Sequence, residues 1–483
     1  MVLHLNERTT YGALKPQLWS FIDSFNGNKS FSMGDARALI SMLADIAVVE
    51  RGYDYVSALA EALNYVRAAA TSHTVVGLAE ELRRVYRRWF EVRHELKKLR
   101  IRSGAPRATA PVKSGDDSFT LVSLFTGAYG LDQGFELAGF NVAVALDISE
   151  ASYQNLKANR PHIPFLLGDV ARFSTEDILR EAGLKPGEVD VIAGGPPCQP
   201  FSPAGKRQSL NDPRASPLKH FVRIIAEARP KVFVMEEVPG ILSARIRHVP
   251  ISERGKRPLT PEEEPGSAWR VILEELKKTG YLIEWRVLNA ADYGTPQERE
   301  RVIVIGVRPD LKARPRFPVP THSRKPQTTL FATTYPWLTL LEAIHDIDDH
   351  IGSAPLPPKY SEFVPYVPPG GNWRHLPDDL RPEAMGRAYT ATGGRMGFYR
   401  RLAWFEPSPT LVTSPAMKAT MMIHPWEDRP LSVREYLKIQ GFPDDWRVVV
   451  GISDAYRLFG EAVPVPLAKA IAEAARSILS LET

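Results

Sequence analysis

The sequence has almost no sulfur chemistry: a single cysteine, Cys198, stands among 483 residues. One thiol excludes an internal disulfide and any zinc site built from several cysteines, and no other metal site is expected. Long apolar runs are also missing. No stretch approaches the roughly 18 residues that span a bilayer, and Met1–Arg8 lacks the apolar core of a secretion signal. A cytoplasmic protein with no membrane partner is expected. Net charge is small, +5, and unevenly spread. Residues 1–115 hold 17 Lys and Arg against 11 Asp and Glu, while the remainder holds 44 against 45. Downstream of a basic N-terminal region, a polyanion would therefore have to be met by local patches. A pI near 9.0 is compatible with nucleic acid without demonstrating it.

At 53.9 kDa the chain should form two or three domains. Residues 1–102 read as helical, with apolar spacing over Asp35 to Glu50, Tyr55 to Ala70 and Leu78 to Arg100. The last of these carries a basic stripe, Arg83, Arg84, Arg87, Arg88, Arg93, Lys97, Lys98 and Arg100. Such a stripe is either a solvated helix face or a phosphate contact. Residues 103–118, rich in Pro, Gly, Ser, Ala and Thr, read as a linker. From Thr120 short β-rich runs alternate with amphipathic stretches. The runs are Thr120–Leu124, Val142–Leu146, Val189–Ala193, Val232–Met235, Ile283–Leu288 and Val302–Val307, with Phe165–Gly168 as a further short one. The helical stretches are Ala151–Asn159, Leu218–Ala228 and Ala268–Thr279. That alternation predicts an α/β fold with a doubly wound, mostly parallel sheet over residues 119–308.

Residues 309–430 hold 19 of the 41 prolines, which disfavours long helices. Two glycine pairs, Gly370-Gly371 and Gly393-Gly394, sit beside aromatic and basic side chains: Trp373, Arg374 and His375, then Arg395, Phe398, Tyr399, Arg400 and Arg401. This suits a loop-rich recognition domain, although an irregular insertion with surface arginines would look the same. Regular structure returns over 431–483, with helices expected at Ser432–Gln440 and Leu467–Leu479.

The chemistry converges on strand ends, where ligands bind in an open α/β sheet. Val189–Ala193 runs into Gly194-Gly195-Pro196-Pro197-Cys198-Gln199-Pro200-Phe201-Ser202, which sets the only thiol on a stiff polar-flanked loop. A buried cysteine acting as a small hydrophobe is the common alternative; the setting favours a nucleophile. The first strand leads into Phe125-Thr126-Gly127-Ala128-Tyr129-Gly130-Leu131, a turn where glycines let a ligand approach the backbone. Asp147 follows Gly127 by 20 residues at the second strand's end, suited to ribose hydroxyls. The spacing departs from GxGxxG and leaves an adenosine-type cofactor, whose amino group Asp169 could hold. Val232–Met235 delivers Glu236 and Glu237, and Glu236 could serve as a general acid near the thiol. Arg299 and Arg301 alternate into a strand and share one face, able to orient a carboxylate, a phosphate or a carbonyl.

Taken together, these stretches resemble the cytosine-C5 DNA methyltransferases from about Thr120 to the C-terminus. Phe125–Gly130 resembles the cofactor loop, Pro197-Cys198-Gln199 the nucleophile motif, Glu236-Glu237-Val238 the Glu-Asn-Val motif and Gln297–Arg301 the Gln-x-Arg-x-Arg motif. Arg434-Glu435 through Gln440-Gly441-Phe442-Pro443 and Tyr456–Pro464 resemble the last two motifs, and Thr410-Leu411 a Thr-Leu pair of the recognition domain. The chain departs from the family at Tyr129, usually glycine, and at Glu237 and Glu461, usually asparagine.

The resemblance implies a class I, Rossmann-like fold that uses S-adenosyl-L-methionine and releases S-adenosyl-L-homocysteine. Cys198 would be the nucleophile, Glu236 the acid at cytosine N3, and Arg301, with Arg299 nearby, would hold the base's carbonyl. The cofactor would lie against Phe125, Thr126, Gly127, Gly130, Leu131 and Asp147, and against Ile148, Asp169, Val170, Pro196, Glu461 and Ala462. Substrate contacts would come from Gln199, Ser202, Gln297, Thr410 and Leu411, and from Arg374, Arg395, Arg400 and Arg401. The loop Gln199–Pro217 is the natural lid. The implied partner is double-stranded DNA, bound by a monomer, with a cognate restriction endonuclease acting on the same site. A tRNA cytosine-C5 methyltransferase and a non-catalytic DNA-binding relative are the rival readings.

Overall fold

The computed structural model describes residues 2–4, 8–28, 31–51, 53–72, 75–96, 100–102, 118–197, 216–249, 253, 255–328, 333–345, 347, 352–391 and 396–481. Seven strands form the central sheet: β1 (Thr120–Leu124), β2 (Asn141–Asp147), β3 (Phe165–Leu167), β4 (Val191–Gly194), β5 (Val232–Glu237), β6 (Leu282–Asn289) and β7 (Glu300–Val307). Their order is β3-β2-β1-β4-β5-β7-β6. The first five are parallel, and β7 runs antiparallel to both its neighbours. This is the expected doubly wound, mostly parallel sheet. The order reverses between β1 and β4, so the crevice at their carboxyl ends is flanked by the residues after Leu124 and after Gly194.

Apolar residues alternate between two cores, as the pleat requires when both faces are covered. Val191, Ala193, Val232, Val234, Ile303 and Ile305 face one core. Ile192, Phe233, Met235, Val302 and Val304 face the other. Helices α5 (Gly130–Leu137), α6 (Glu150–Asn159) and the closing α12 (Val465–Leu479) cover the first face; α7 (Thr175–Ala182), α8 (Ser216–Ala228) and α9 (Ser267–Lys278) cover the second. Helices α10 (Val433–Gln440) and α11 (Ile452–Glu461) precede α12, and α10 begins with a Ser432–Glu435 capping box and ends at the left-handed Gly441. Helix α12 lies very close to α5: a Cβ on Gly134 would come within 2.3 Å of the Ala468 Cβ, and one on Gly130 within 2.3 Å of the Val463 carbonyl.

The N-terminal region folds as α1 (Arg8–Asp23), α2 (Met33–Arg51), α3 (Tyr55–Ser72) and α4 (Val75–Leu96). It is not wholly helical, because Val2–His4 pairs in parallel with Arg100–Arg102 and so joins two distant segments. Of the expected linker, residues 103–117 lie outside the described residues. In the basic stripe, Arg84 pairs with Glu81 and Arg88 with Glu50 and Glu91, so part of it is neutralised within the domain.

These helices seat on residues 320–430. Asp45 accepts from the indole N–H of Trp89 (2.9 Å) and of Trp426 (3.1 Å). Lys15 pairs with Glu342 at 2.9 Å, Trp19 donates to the Phe405 carbonyl at 3.2 Å, and Phe90 stacks on Tyr366 at 5.5 Å. Residues 309–430 contain no described helix longer than five residues, and a small core of their own forms around Phe363, Trp373, Met385 and Tyr399.

Candidate active site

The turn after β1 takes positive φ at Phe125 (58°), Gly127 (55°) and Tyr129 (75°). Only glycine adopts this freely, so the other two must be held. Thr126 N–H donates to the Leu146 carbonyl (3.1 Å), Gly127 N–H to Asp147 Oδ2 (2.8 Å), and the Ser152 hydroxyl to the Gly127 carbonyl. Tyr129 is fully buried, donates to Glu136 at 2.8 Å and stacks on Trp446 at 6.1 Å. That enclosure offsets the roughly 1–2 kcal/mol of a left-handed residue. The bulky replacement for the family's glycine thus points into the protein, away from the open side of the turn.

The turn opens on a cavity of about 360 Å³. Its lining includes Phe125, Thr126, Gly127, Gly130, Leu131, Asp147, Ile148, Asp169, Val170, Glu461 and Ala462. Eleven of the twelve residues expected around a cofactor are therefore brought together. Pro196 is the exception: its neighbours Gly195 and Pro197 line the cavity instead. Asp147 also accepts from Ser149 N–H at 2.8 Å, and burial pushes its carboxyl up against the pull of these donors. Asp169 accepts from Ala171 N–H at 2.9 Å through one oxygen, Oδ1. Ile148 is 70% exposed, an aliphatic surface at the cavity wall. Arg457, which sequence reasoning passed over, also lines the cavity. Its position one helical turn before Glu461 was the available signal. Burial pushes the Glu461 carboxyl up, and Arg457 and Arg299 draw it back.

At the other end of the cavity stand Gly195, Pro197 and Glu236. Glu236 Oε1 pairs with Arg301 Nε at 2.6 Å, both side chains largely buried. A Cβ on Gly195 would come within 2.7 Å of Glu236 Oε2, so any larger residue there obliges this carboxylate to move. Glu237 is buried, and its Oε2 accepts from Val238 N–H. Cys198, Gln199 and Ser202 lie outside the described residues, as does the expected lid up to residue 215; Pro217 lines the cavity.

Arg299 stands just before β7, two residues from Arg301, but has a different task. Its buried guanidinium donates to the carbonyls of Gly460 (2.9 Å), Glu461 (2.7 Å) and Leu411 (3.4 Å). It fastens the last motif to the sheet, and its charge still lies near enough to Arg301 and Glu236 to be felt by both. Gln297 is a correction to its expected place at the substrate. It is fully buried, accepts from Leu411 N–H (3.0 Å) and donates to Gln440 (2.9 Å), which in turn donates to the Phe459 and Ala462 carbonyls. Leu411 is buried in the same joint, whereas Thr410 is exposed and donates to the Glu298 carbonyl at 2.9 Å.

A family model described as C-5 cytosine-specific DNA methylase matches residues 119–477. The chain is a C-5 cytosine-specific DNA methylase. Type II methyltransferase M.PspPI of Psychrobacter sp. (strain TA137) is 36% identical over 364 residues, 74% of this chain and 79% of that one. M.Sau96I of Staphylococcus aureus is 33% identical over 355 residues, covering 73% and 74%, and M.Eco47II of Escherichia coli 35% over 375, covering 76% and 81%. Among solved structures, one described as a DNA modification methyltransferase encoded within an E. coli prophage superposes with a TM-score of 0.50 at 23% identity, over 75% of this chain and all of that one. That likeness supports the fold. Family membership makes the methylase an enzyme that methylates carbon 5 of cytosine in DNA, and it implies S-adenosyl-L-methionine as the methyl donor.

Within residues 309–430, the methylase keeps Arg374 exposed, 5.8 Å from the Trp373 ring centre. Arg400 is half-buried and donates to the Met421 carbonyl at 3.3 Å; burial pulls its pKa down. Arg401 is a correction. It is 1% exposed and donates to the carbonyls of Val364, Val367, His424 and Glu427 and to Asp428, leaving it no surface for DNA. Arg395 lies outside the described residues. Among the described residues, no helix of the methylase is long and apolar enough to cross a membrane.

Proposed function

We propose that this methylase acts on a cytosine turned out of a short, specific duplex sequence, through a covalent bond between Cys198 and carbon 6. The observation that carries this reading is the Glu236–Arg301 pair at 2.6 Å, held against Gly195 at the end of the cavity that Pro197 also lines. Pro197 directly precedes Cys198 in the sequence, which supports pairing that thiol with Glu236.

The cavity residues suit S-adenosyl-L-methionine. Ile148 and Phe125 offer apolar surface to a purine, and Asp169 keeps an oxygen for its amino group. Asp147 can accept from ribose hydroxyls, and the carboxylate of Glu461 matches the charge of an ammonium better than the family's asparagine would. Bound there, the cofactor supplies an electrophilic methyl group and leaves as S-adenosyl-L-homocysteine.

Carbon 5 of cytosine is too weak a nucleophile to take a methyl group unaided. The Cys198 thiolate adds its electron pair to carbon 6, and Glu236, acting as the acid, delivers a proton to N3. The ring then has enamine character, and carbon 5 forms its bond to the methyl group. Arg301 orients Glu236 and has further N–H donors for the base's carbonyl. Loss of the carbon 5 proton to a base expels Cys198 as thiolate, and N3 returns its proton to Glu236, leaving neutral 5-methylcytosine. Bringing the cytosine to Cys198 costs a few kcal/mol of unstacking and unpairing. Double-stranded DNA is engaged by a monomer without a metal, Arg374 and Arg400 contribute contacts, and a restriction endonuclease acts on the same sequence, as the type II relatives suggest.

The test is methylation of mixed-sequence duplex DNA with labelled S-adenosyl-L-methionine, using wild type and Cys198→Ala, followed by base-resolution mapping. Methylcytosine in one short motif, lost in the variant, is the expected result. Incorporation that survives Cys198→Ala, or that occurs in tRNA and not in DNA, overturns it.

A further inference from the structure

We infer that Asp35, in the N-terminal helical region that the family match does not cover, is a positioning residue for DNA binding. It acts through His375 on the turn that presents Arg374. The inference rests on the reading of Arg374 as a DNA contact.

The N-terminus of α2 grips the Gly370–His375 turn. Gly370 takes a φ of 74°, and a Cβ there would lie 3.2 Å from the Arg37 Cβ; one on Gly34 would lie 3.8 Å from His375 Cε1. Asp35 divides its carboxylate between two tasks. Oδ2 accepts from both the Ser32 N–H and the Ser32 hydroxyl at 2.7 Å, capping the helix, while Oδ1 faces His375 Nε2 at 3.4 Å. His375 Nδ1 accepts from Asn372 N–H at 3.1 Å, so its ring proton resides on Nε2, toward Asp35. A carboxylate behind a histidine fixes both tautomer and ring orientation. Burial pushes the Asp35 carboxyl up, but His375 and Ser32 outweigh it and bring it to about 2.

The relay then runs into the turn. Asn372 is 4% exposed, and its Oδ1 accepts from Arg374 N–H at 3.0 Å, so the ring of His375 holds the residue that sets the Arg374 backbone. Trp373 N–H donates to the Phe398 carbonyl and Arg401 N–H to the Gly371 carbonyl, both at 3.0 Å, tying the turn to the 396–401 segment. A helix outside the shared enzyme core thereby fixes where an exposed arginine points.

The experiment is a double-variant cycle on the full chain with mixed-sequence duplex DNA. Arg374→Ala and Asp35→Asn each raise KM for DNA roughly tenfold, the effect of one lost arginine contact, and leave kcat and the KM for cofactor unchanged. The double variant is no worse than Arg374→Ala alone. His375→Gln, which leaves α2 intact, reproduces Asp35→Asn and decides the matter if Asp35→Asn fails to fold. A normal KM in both Asp35→Asn and His375→Gln, with Arg374→Ala impaired, overturns the positioning role and leaves the Arg374 reading standing. Multiplying effects in the double variant also overturn it. A silent Arg374→Ala overturns both.

Discussion

Gly195→Ala tests the acid end of the site with a single methyl group. The added Cβ would sit 2.7 Å from Glu236 Oε2, whereas ordinary contact begins at 3.4 Å, so the carboxylate must retreat by about 0.7 Å. It has little room, because its other oxygen is held by Arg301 at 2.6 Å and both side chains are largely buried. Misplacing a reacting group by about 1 Å can cost 100-fold in rate, so a 10- to 100-fold fall in kcat is expected, or about 1.4–2.7 kcal/mol. The methyl group points at the carboxylate and not into the rest of the cavity. Affinity for S-adenosyl-L-methionine should therefore stay within about twofold, and Tm should drop by only a few degrees. The assay is single-turnover methyl transfer to duplex DNA, with cofactor titration and a thermal melt alongside. A kcat within twofold of wild type, in a variant that melts normally, would refute the role given to Glu236.

Three further outcomes are expected. Arg299→Met strands the Gly460, Glu461 and Leu411 carbonyls in the interior; thermal unfolding should show a loss of about 3–5 kcal/mol together with a raised KM for cofactor. A normal melt with abolished kcat would return Arg299 to the chemistry. Tyr129→Gly restores the family's residue and relieves roughly 1–2 kcal/mol of backbone strain, but it removes a fully buried ring worth about 3–5 kcal/mol, so a melt should show net destabilisation. Burial holds the Asp45 carboxyl at about 7 in the fold, against an unfolded value near 3.9. A folded value above the unfolded one means stability is fully present below about pH 4 and is lost as pH rises through about 7, by up to about 4 kcal/mol. Asp45→Asn should flatten that part of the stability–pH curve, and an unchanged curve would show that Asp45 is not its source.

Most of the central fold was legible because both faces of the sheet are covered, which writes β-branched runs at regular intervals with helices between them. Much of the cavity was legible for a related reason: most of its residues lie within a few positions of strand ends, so local sequence carries their placement, whereas Glu461 and Ala462 at the end of α11 were found through the family resemblance. The arginines were not. Arg299, Arg301, Arg374 and Arg401 look alike in sequence, but their roles depend on which distant groups converge on them. Four main-chain carbonyls close over Arg401, three over Arg299 and a carboxylate meets Arg301, while Arg374 remains exposed. Gln297 was misread likewise, because its partners Gln440 and Leu411 are more than 110 residues away. The helical character of the N-terminal region was readable from its periodicity. Its seat on residues 320–430, through Asp45, Lys15 and Trp19, was not, since contacts between remote segments leave no period.

The close packing of α12 on α5 also bears on the order in which the protein matures. Glu461, Ala462 and Val463 complete the cavity begun by Phe125 and Gly127, and Ala468 fits against the bare backbone of Gly134. A ribosome must therefore translate more than 300 further residues before the first motif acquires its opposite wall. Until then a nascent chain that holds every strand of the central sheet still has an incomplete cavity. Molecules cut short before Glu461 lack that wall, so the completed cavity arises only when synthesis has nearly finished.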